Sequence, residues 1–561
     1  MTQSTRTVLR NQLNQALSAL RDAWRVMRHR GPSQIQFWFI ALIIGIAAGF
    51  MALGFRMGVS SLQAYLYNTA DILFLHSHAE KLHWFWIFIT PVIGGLVVGV
   101  ILHKFTDDGR VRSVADVIEG AALTDGRVEK RAGVASLFAS LITLSSGGST
   151  GREGPVVHMA GVISTWVSDR IHADGITGRD LLGCGVAAAV SASFNAPIAG
   201  ALFALEVVLR HFAVHAFAPI VIASIAGTVI NRLAYGDVTE FTLDTPGSLQ
   251  FYVELPAFLI LGLLCGLVAL VLMRLIFFAE DIGNHVQSRL SLPRWLRPGI
   301  SGAMLGLLAI WFPHIIGVGY ETTIRALTGD MLLSTAIVLT IVKIIAVAIT
   351  MGGRMGGGVF SPALMIGALT GLAFGFIATG LLPDVSGTYT LYAFAGMGAV
   401  AAAVLGAPIS TTLIVFELTG DWQIGLAVMA SVSMSTALAS RLVDRSFFLT
   451  QLERRNVHLA AGPQAYLLAM LRAGAVMRPL GDPRSITRDE AQELIDQGLC
   501  VKASATLEAA MPYFDRDDIP CIPVVVIDKD GCENPVGALY HIDALKAYNR
   551  ALAATAAEEH S

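Results

Sequence analysis

Charge is what this chain has least of. Only 14% of its 561 residues are Asp, Glu, Lys or Arg, whereas 54% are hydrophobic. A soluble protein of this size carries about a quarter charged residues, so the scarcity excludes a soluble globular class and predicts a polytopic membrane protein. The net charge of −3 says little, because the charges lie at the ends and in loops; no nucleic-acid partner is expected. Cysteine is also sparse. Cys184, Cys265, Cys500, Cys521 and Cys532 fall in no CxxC or Cys/His metal spacing, which leaves free thiols and no metal site as the reading. Catalytic signatures are missing too. There is no HExxH, no GxSxG and no pair of intramembrane aspartates, and Ser149 has no base in register, so the chain is not expected to be an enzyme. No cleavable signal peptide is expected, since the first apolar run starts near Ile35, after a polar segment.

That segment, 1–34, holds Arg6, Arg10, Arg21, Arg25, Arg28 and Arg30 against the single acid Asp22, which predicts a cytoplasmic N-terminus. Leu13, Leu17, Leu20 and Trp24 recur at helical spacing, so it reads as an amphipathic surface helix or as a frayed basic leader. The body, about 36–445, is a succession of apolar runs broken by Gly and Pro, as at Gly183, Gly185, Pro197 and Gly200, at Gly356 to Gly358 and Pro362, and at Gly406 and Pro408. Half-helices meeting inside the membrane are the expected meaning, because irregular backbone survives at that depth only where protein or a polar cavity satisfies it.

Two of these runs, 132–151 and 154–168, contain no Asp, Glu, Lys or Arg, and between them stand Arg152 and Glu153. Each such charge costs about 2.5 kcal/mol or more at membrane depth, so the pair is expected to face an aqueous path or a partner. Pro155 suits the first turn of a helix, and Gly147, Gly148 and Gly151 let backbone N–H groups crowd together before it. A helix beginning there aims its unpaired N–H groups and positive dipole end at an anion. Glu153 could fill that site itself and be displaced by an ion, or leave on protonation. A carboxylate merely paired with Arg152 is the simpler alternative.

The two halves echo each other. Asn195-Ala196-Pro197-Ile198 through Leu205-Glu206 resembles Gly406-Ala407-Pro408-Ile409 through Phe416-Glu417, and Gly151-Arg152-Glu153-Gly154-Pro155 has a counterpart in Gly358-Val359-Phe360-Ser361-Pro362. Interrupted apolar segments at matching places in two halves point to a transport site at the repeat interface. Glu206 and Glu417 end their helices symmetrically, so a structural or interfacial role is at least as probable on this pattern as a functional one. His158, on an apolar face, reads as a packed, hydrogen-bonded histidine rather than a pH sensor.

With these motifs the sequence resembles the CLC family of chloride channels and chloride/proton antiporters, prokaryotic type. Residues 151–155 match its G(K/R)EGP motif and 358–362 its GxFxP motif. The resemblance implies an all-α, inverted-repeat membrane fold with broken half-helices over 35–450, in two halves at about 35–235 and 250–450. It also implies a homodimer in the lipid bilayer, in a bacterial inner membrane, with both termini cytoplasmic. Glu153 would be the external gating glutamate, taking protons; backbone N–H groups of Arg152, Glu153, Gly154, Val359 and Phe360 would line the anion sites. The first family motif, GSGIP, is poorly kept. Alignment on Glu119-Gly120 places Ser113 at the chloride-coordinating serine, a choice that goes with chloride over nitrate; Ser113 could equally be a helix cap. Pro155 argues against the fluoride-exporting branch.

Two departures bear on mechanism. The internal proton glutamate of the antiporters falls at Val207, which carries no proton, and the inner tyrosine falls at Phe448, which keeps the ring and loses the hydroxyl. A passive, voltage- or pH-gated chloride channel is the expectation, with a chloride/proton antiporter using another proton path as the alternative. The tail, 451–561, resembles one CBS motif, a cytoplasmic α/β module: Ser504 to Tyr548 reads strand–helix–strand–strand–helix. Val476-Met477-Arg478-Pro479 looks like the start of a partner motif, but the spacing before Ser504 is too short for a full copy; Tyr540 stands before Asp543 where nucleotide-binding members prefer Ser or Thr. A degenerate regulatory domain without nucleotide is expected, and no cofactor besides the transported ion.

Overall fold

The structure is a computed structural model that describes residues 33–69, 72–173, 175–210, 212, 214–236, 251–383, 386–443, 445–457, 459, 467–468, 471–503, 505–517, 519–527 and 533–559. The expected surface helix over 1–34 lies outside these but for Ser33 and Gln34, as do Ser504 and Cys532.

Among the described residues, seven helices are long and apolar enough to cross a membrane, including Gln34–Tyr67, Trp84–Phe105, Leu333–Gly352 and Phe360–Leu381. The Gly/Pro signals fall at helix breaks. The run expected over 385–416 divides into Tyr389–Leu405 and Pro408–Thr419 around Gly406, whose φ is +68°. Pro197 and Pro408 each occupy the first turn of a short helix, where proline lacks only an N–H that would be unsatisfied anyway. The helix at Pro197 winds on as a π-helix over Ala204–Leu209, which puts Glu206 and Val207 in a widened turn where its second-half counterpart stays α-helical.

Packing relies on small residues, as expected where lipid removes most of the hydrophobic drive between helices. Helices Phe360–Leu381 and Tyr389–Leu405 touch so closely that a Cβ on Gly367 would lie 2.3 Å from the Gly396 carbonyl oxygen. Ala187, Ala188 and Ala189 are fully buried, as are the thiols of Cys184 and Cys265. Lys343 is fully buried as well, within the Leu333–Gly352 helix. Its ammonium donates to the carbonyls of Ile315, Gly317 and Val318 at 3.1–3.3 Å, which satisfies the charge and pins the 313–319 segment in place.

The tail carries a four-stranded sheet: β1 (Arg478–Pro479), β2 (Val501–Lys502), β3 (Cys521–Ile527) and β4 (Glu533–Tyr540), in the order β1-β4-β3-β2. From β2 onward the order is strand, helix, strand, strand, helix, as the sequence pattern predicts. One expectation is corrected. Arg478–Pro479 does not open a second motif; it pairs antiparallel with β4 as the edge of this same sheet. Arg478 Nε donates to Asp543 at 2.6 Å and its guanidinium lies 4.1 Å from the Tyr540 ring centroid. The tail meets the membrane body on one face, through Arg455–Asp116 at 2.8 Å and Arg472–Asp125 at 3.6 Å. Residues 106–113, at the end of the Trp84–Phe105 helix, share that face with Asp116; the turn 72–83, at the helix's start, lies on the opposite one.

Candidate functional site

The loops ahead of two long-range-paired helices meet back to back. Gly151 and Gly358 exchange both backbone hydrogen bonds, at 2.7 and 2.8 Å, as an isolated antiparallel bridge. These are the two glycines that head the echoed motifs. Thr150 Oγ1 also donates to Gly358 O at 2.9 Å. Gly357, at φ +114°, admits this hydroxyl; a Cβ there would sit 2.1 Å from it. The bridge sets the N-termini of helices Glu153–Ile171 and Phe360–Leu381 side by side.

Glu153 is buried, 2% exposed. Its carboxylate accepts from the Ser361 hydroxyl and, at 3.4 Å, from the Ser361 N–H, so it sits on the N-terminus of the opposite half's helix, where orphan amides and the dipole favour a negative charge. Arg152 is not its seat: Arg152 Nε stands 3.8 Å from Glu153 Oε1, while Nη2 donates to Ser193 O at 2.6 Å. Glu153 is therefore held by Ser361, with Arg152 as a longer ion pair beside it.

Ser113, Glu153, Gly154, Val359, Phe360 and Phe448 line one cavity of about 10 Å³, together with Val157, Phe203, Gly357 and Gly358. That leaves room for about one water-sized particle. Phe360 forms part of its wall, packed on Phe194 at 4.7 Å and on Phe203 at 6.1 Å between centroids. Ser113 fits both of its readings, since it is also the N-cap of helix Val114–Leu123, its N–H donating to Asp116 at 2.7 Å. Arg152 is the one predicted anion-site residue whose side chain lies elsewhere. It lines a second cavity with Gln63, His76, His314, Tyr320 and Glu321, its guanidinium 5.3 Å from the Tyr320 ring centroid. There burial, with the charges of His314 and Arg325 adding to it, pushes the His76 pKa down to about 3, so that ring is neutral near pH 7. Val207 lies buried in the π-helical turn and does not line the cavity around Glu153.

Three features were not anticipated. Ser361 stood inside a quoted motif without a role; its place one residue into a helix was the available signal. His158 is buried as expected, yet neither ring nitrogen has a hydrogen-bond partner among the described residues. It borders a larger cavity of about 490 Å³ with Asp116, Glu119, Arg127, Glu129 and Arg455, on the tail-side face. Lastly, Glu206 and Glu417 cap each other's helices. Glu417 accepts from the N–H groups of Ile198 and Ala199 at 3.0 and 2.8 Å. Glu206 accepts from those of Ile409 and Ser410 at 2.9 and 2.8 Å, and from the Ser410 hydroxyl at 2.7 Å. The reciprocal caps are what the expected structural reading of the two glutamates did not specify.

Comparison with known proteins agrees with this architecture. Residues 94–440 match the family described as "Voltage gated chloride channel". The chain is 32% identical over 419 residues to the "Voltage-gated ClC-type chloride channel ClcB" of Escherichia coli O81 (strain ED1a), covering 73% of this chain and 97% of that protein. Among solved structures it is similar to "a slow cyanobacterial Cl-/H+ antiporter", with a TM-score of 0.66, 22% identity, and 76% and 98% of the two chains covered. It is also similar to "a eukaryotic CLC transporter", with a TM-score of 0.64 and 17% identity, covering 93% of this chain and 98% of that one. Because 450 of 561 residues are about 80% of the chain, that last fold likeness reaches into the tail. The protein is a multi-pass membrane protein, and it belongs to the CLC family of voltage-gated chloride channels and related transporters.

Proposed function

We propose that this chain is a transport protein, not an enzyme, that carries chloride and other monovalent anions across the membrane, one pore per subunit of a homodimer, with Glu153 as the gate. The observation that carries this reading is the seat of Glu153 on Ser361, at a helix N-terminus inside the cavity shared by both motif loops. A carboxylate there blocks an anion's place; protonated, it loses its attraction for the helix end and frees it. Backbone amides around Gly154, Val359 and Phe360, with Ser113, are the groups offered to the anion. Passive conduction is favoured by Val207, which cannot hold a proton, and by Phe448, which offers no hydroxyl. Both termini are placed in the cytoplasm, following the Arg-rich N-terminal segment, in a bacterial inner membrane. The tail is read as a degenerate CBS-like regulatory unit without nucleotide, its Asp543 already taken by Arg478.

Chloride/proton exchange is the second reading. It is favoured by His158, a buried base bordering the 490 Å³ tail-side cavity and lying on the same helix as Glu153. Five residues of helix rise separate the two, about 7.5 Å. Purified protein in chloride-loaded liposomes, with chloride efflux and external pH recorded together, separates the readings. Chloride efflux without uphill proton movement is expected. Uphill proton movement establishes exchange instead, and silence in both signals overturns the transport reading.

A further inference from the structure

The second cavity, on the face opposite the tail, holds a constellation that anion permeation does not use. His76 and Glu80 stand four residues apart at the end of the short helix Leu75–Ala79, whose next turn closes through the Glu80 N–H donating to His76 O at 2.9 Å. Residues so spaced share one helical face. His314 comes from the turn 313–315 of the other half and stacks on His76, ring centroids 4.2 Å apart. One ligand atom from each of His76, Glu80 and His314 lies within 4.8 Å of the other two.

The surroundings prepare these groups as ligands. His76 Nδ1 faces Glu321 Oε2 at 3.0 Å, so the proton stays on Nδ1, donating to Glu321, and the lone pair is on Nε2. A carboxylate behind a histidine is the usual way a metal-binding tautomer is fixed. Glu321 is itself held, by the N–H groups of His76 and Ser77 at 3.0 and 3.2 Å, by the Ser77 hydroxyl, and by Arg325 at 3.0 Å. His314 Nδ1 is buried and has no hydrogen-bond partner among the described residues, a position that costs free energy unless something binds there.

We propose that His76, Glu80 and His314 form a binding site for a single divalent transition-metal ion of the Zn²⁺ type, and that its occupancy slows transport. Two imidazoles and one carboxylate are a donor set that suits Zn²⁺ and leaves a fourth position for water, as opposed to the oxygen-rich sets of Mg²⁺ and Ca²⁺. At bond lengths of about 2.0–2.1 Å, tetrahedral ligand atoms stand about 3.3 Å apart, so the three groups need to close by roughly an ångström or so. The exposed Glu80 and the short 313–315 turn are the parts that move. Coupling to the pore runs through the same wall. The segment from His314 leads directly to Tyr320, whose ring lies against Arg152, next to Glu153. An ion tying 313–315 to 76–80 immobilises that wall.

The slowing of transport rests on the functional reading above; binding does not, and the two are measured separately. Full-length protein, stripped with a chelator, is titrated with Zn²⁺ by calorimetry and with Co²⁺ by visible absorption. One equivalent is expected to bind, with the visible bands of four-coordinate Co²⁺. Affinity is expected to fall at least tenfold in His76→Ala and in His314→Ala, and to remain unchanged when the exposed His285 is replaced by Ala. His76→Gln, which retains a polar side chain of similar size, guards against a folding defect. No stoichiometric binding, or binding indifferent to His76 and His314, overturns the site. In liposomes, Zn²⁺ on both sides is expected to reduce chloride flux severalfold, reversibly on chelation and not in His314→Ala. Binding without any change of flux overturns the coupling while leaving the site standing.

Discussion

Glu206 and Glu417 cap each other's neighbouring helices: each carboxylate, at the end of one short helix, takes the first N–H groups of the helix that carries the other. The pairs Glu417 with Ile198 and Ala199, and Glu206 with Ile409 and Ser410, are related by the 211-residue offset of the Ala196-Pro197 and Ala407-Pro408 echo. Removing an N-terminal cap costs about 0.5–2 kcal/mol. Glu206→Ala and Glu417→Ala are each expected to lower the thermal unfolding midpoint in detergent, Glu206→Ala more, since it also loses the Ser410 hydroxyl. Midpoints equal to the parent's would mean the exchange is not a fastening.

The seat of Glu153 predicts two opposite changes. Glu153→Gln, an uncharged stand-in for the protonated gate, is expected to remove most of the pH dependence of anion flux. Ser361→Ala deletes the hydroxyl that holds the carboxylate, a charge-assisted bond worth about 1.5–3 kcal/mol. It is expected to raise flux near neutral pH. Flux profiles from pH 4 to 8, compared with the parent, check both; a Glu153→Gln profile that keeps its slope would remove Glu153 from gating.

Among the described residues, Ser113 is the one side-chain hydroxyl that the first half brings to the cavity around Glu153. Ser113→Pro is expected to move preference from chloride toward nitrate. Efflux ratios for the two anions measure it, and an unaltered ratio counts against placing Ser113 at the ion.

Phe448 faces the same cavity without a donor. Phe448→Tyr is expected to tighten chloride binding, by about 0.5–1.5 kcal/mol for one added hydrogen bond, or roughly two- to tenfold in affinity. Isothermal titration with chloride tests this, and unchanged affinity would show that the ring does not point its edge at the ion.

The broken helices, the two-half pattern and the cavity around Glu153 were legible because their signals are local: Gly and Pro at helix starts, and an ionisable pair between uncharged runs. What stayed hidden depends on distant partners. The Ser361 bond to Glu153 spans 208 residues and the His76 amide bond to Glu321 spans 245, and no periodicity reports such meetings. His158 looked like a packed core histidine because its apolar neighbours are visible in sequence, whereas the cavity beside it is built by Glu119, Glu129 and Arg455 from elsewhere. Lys343 draws no notice within its apolar run, because its three carbonyl partners come from a separate segment that precedes its helix. Val476 to Pro479 suggested a second motif because a two-residue edge strand carries too little pattern to declare its sheet.

The exchanged caps also constrain how the chain is made. The amides of Ile198 and Ala199 await a carboxylate 219 residues downstream, which a ribosome adding about 5–20 residues per second supplies roughly 11–44 s later. Until then the helix start at Pro197 lacks the carboxylate that takes its first donors in the finished fold. The cavity around Glu153, lined from both halves, is likewise complete only when the second half arrives.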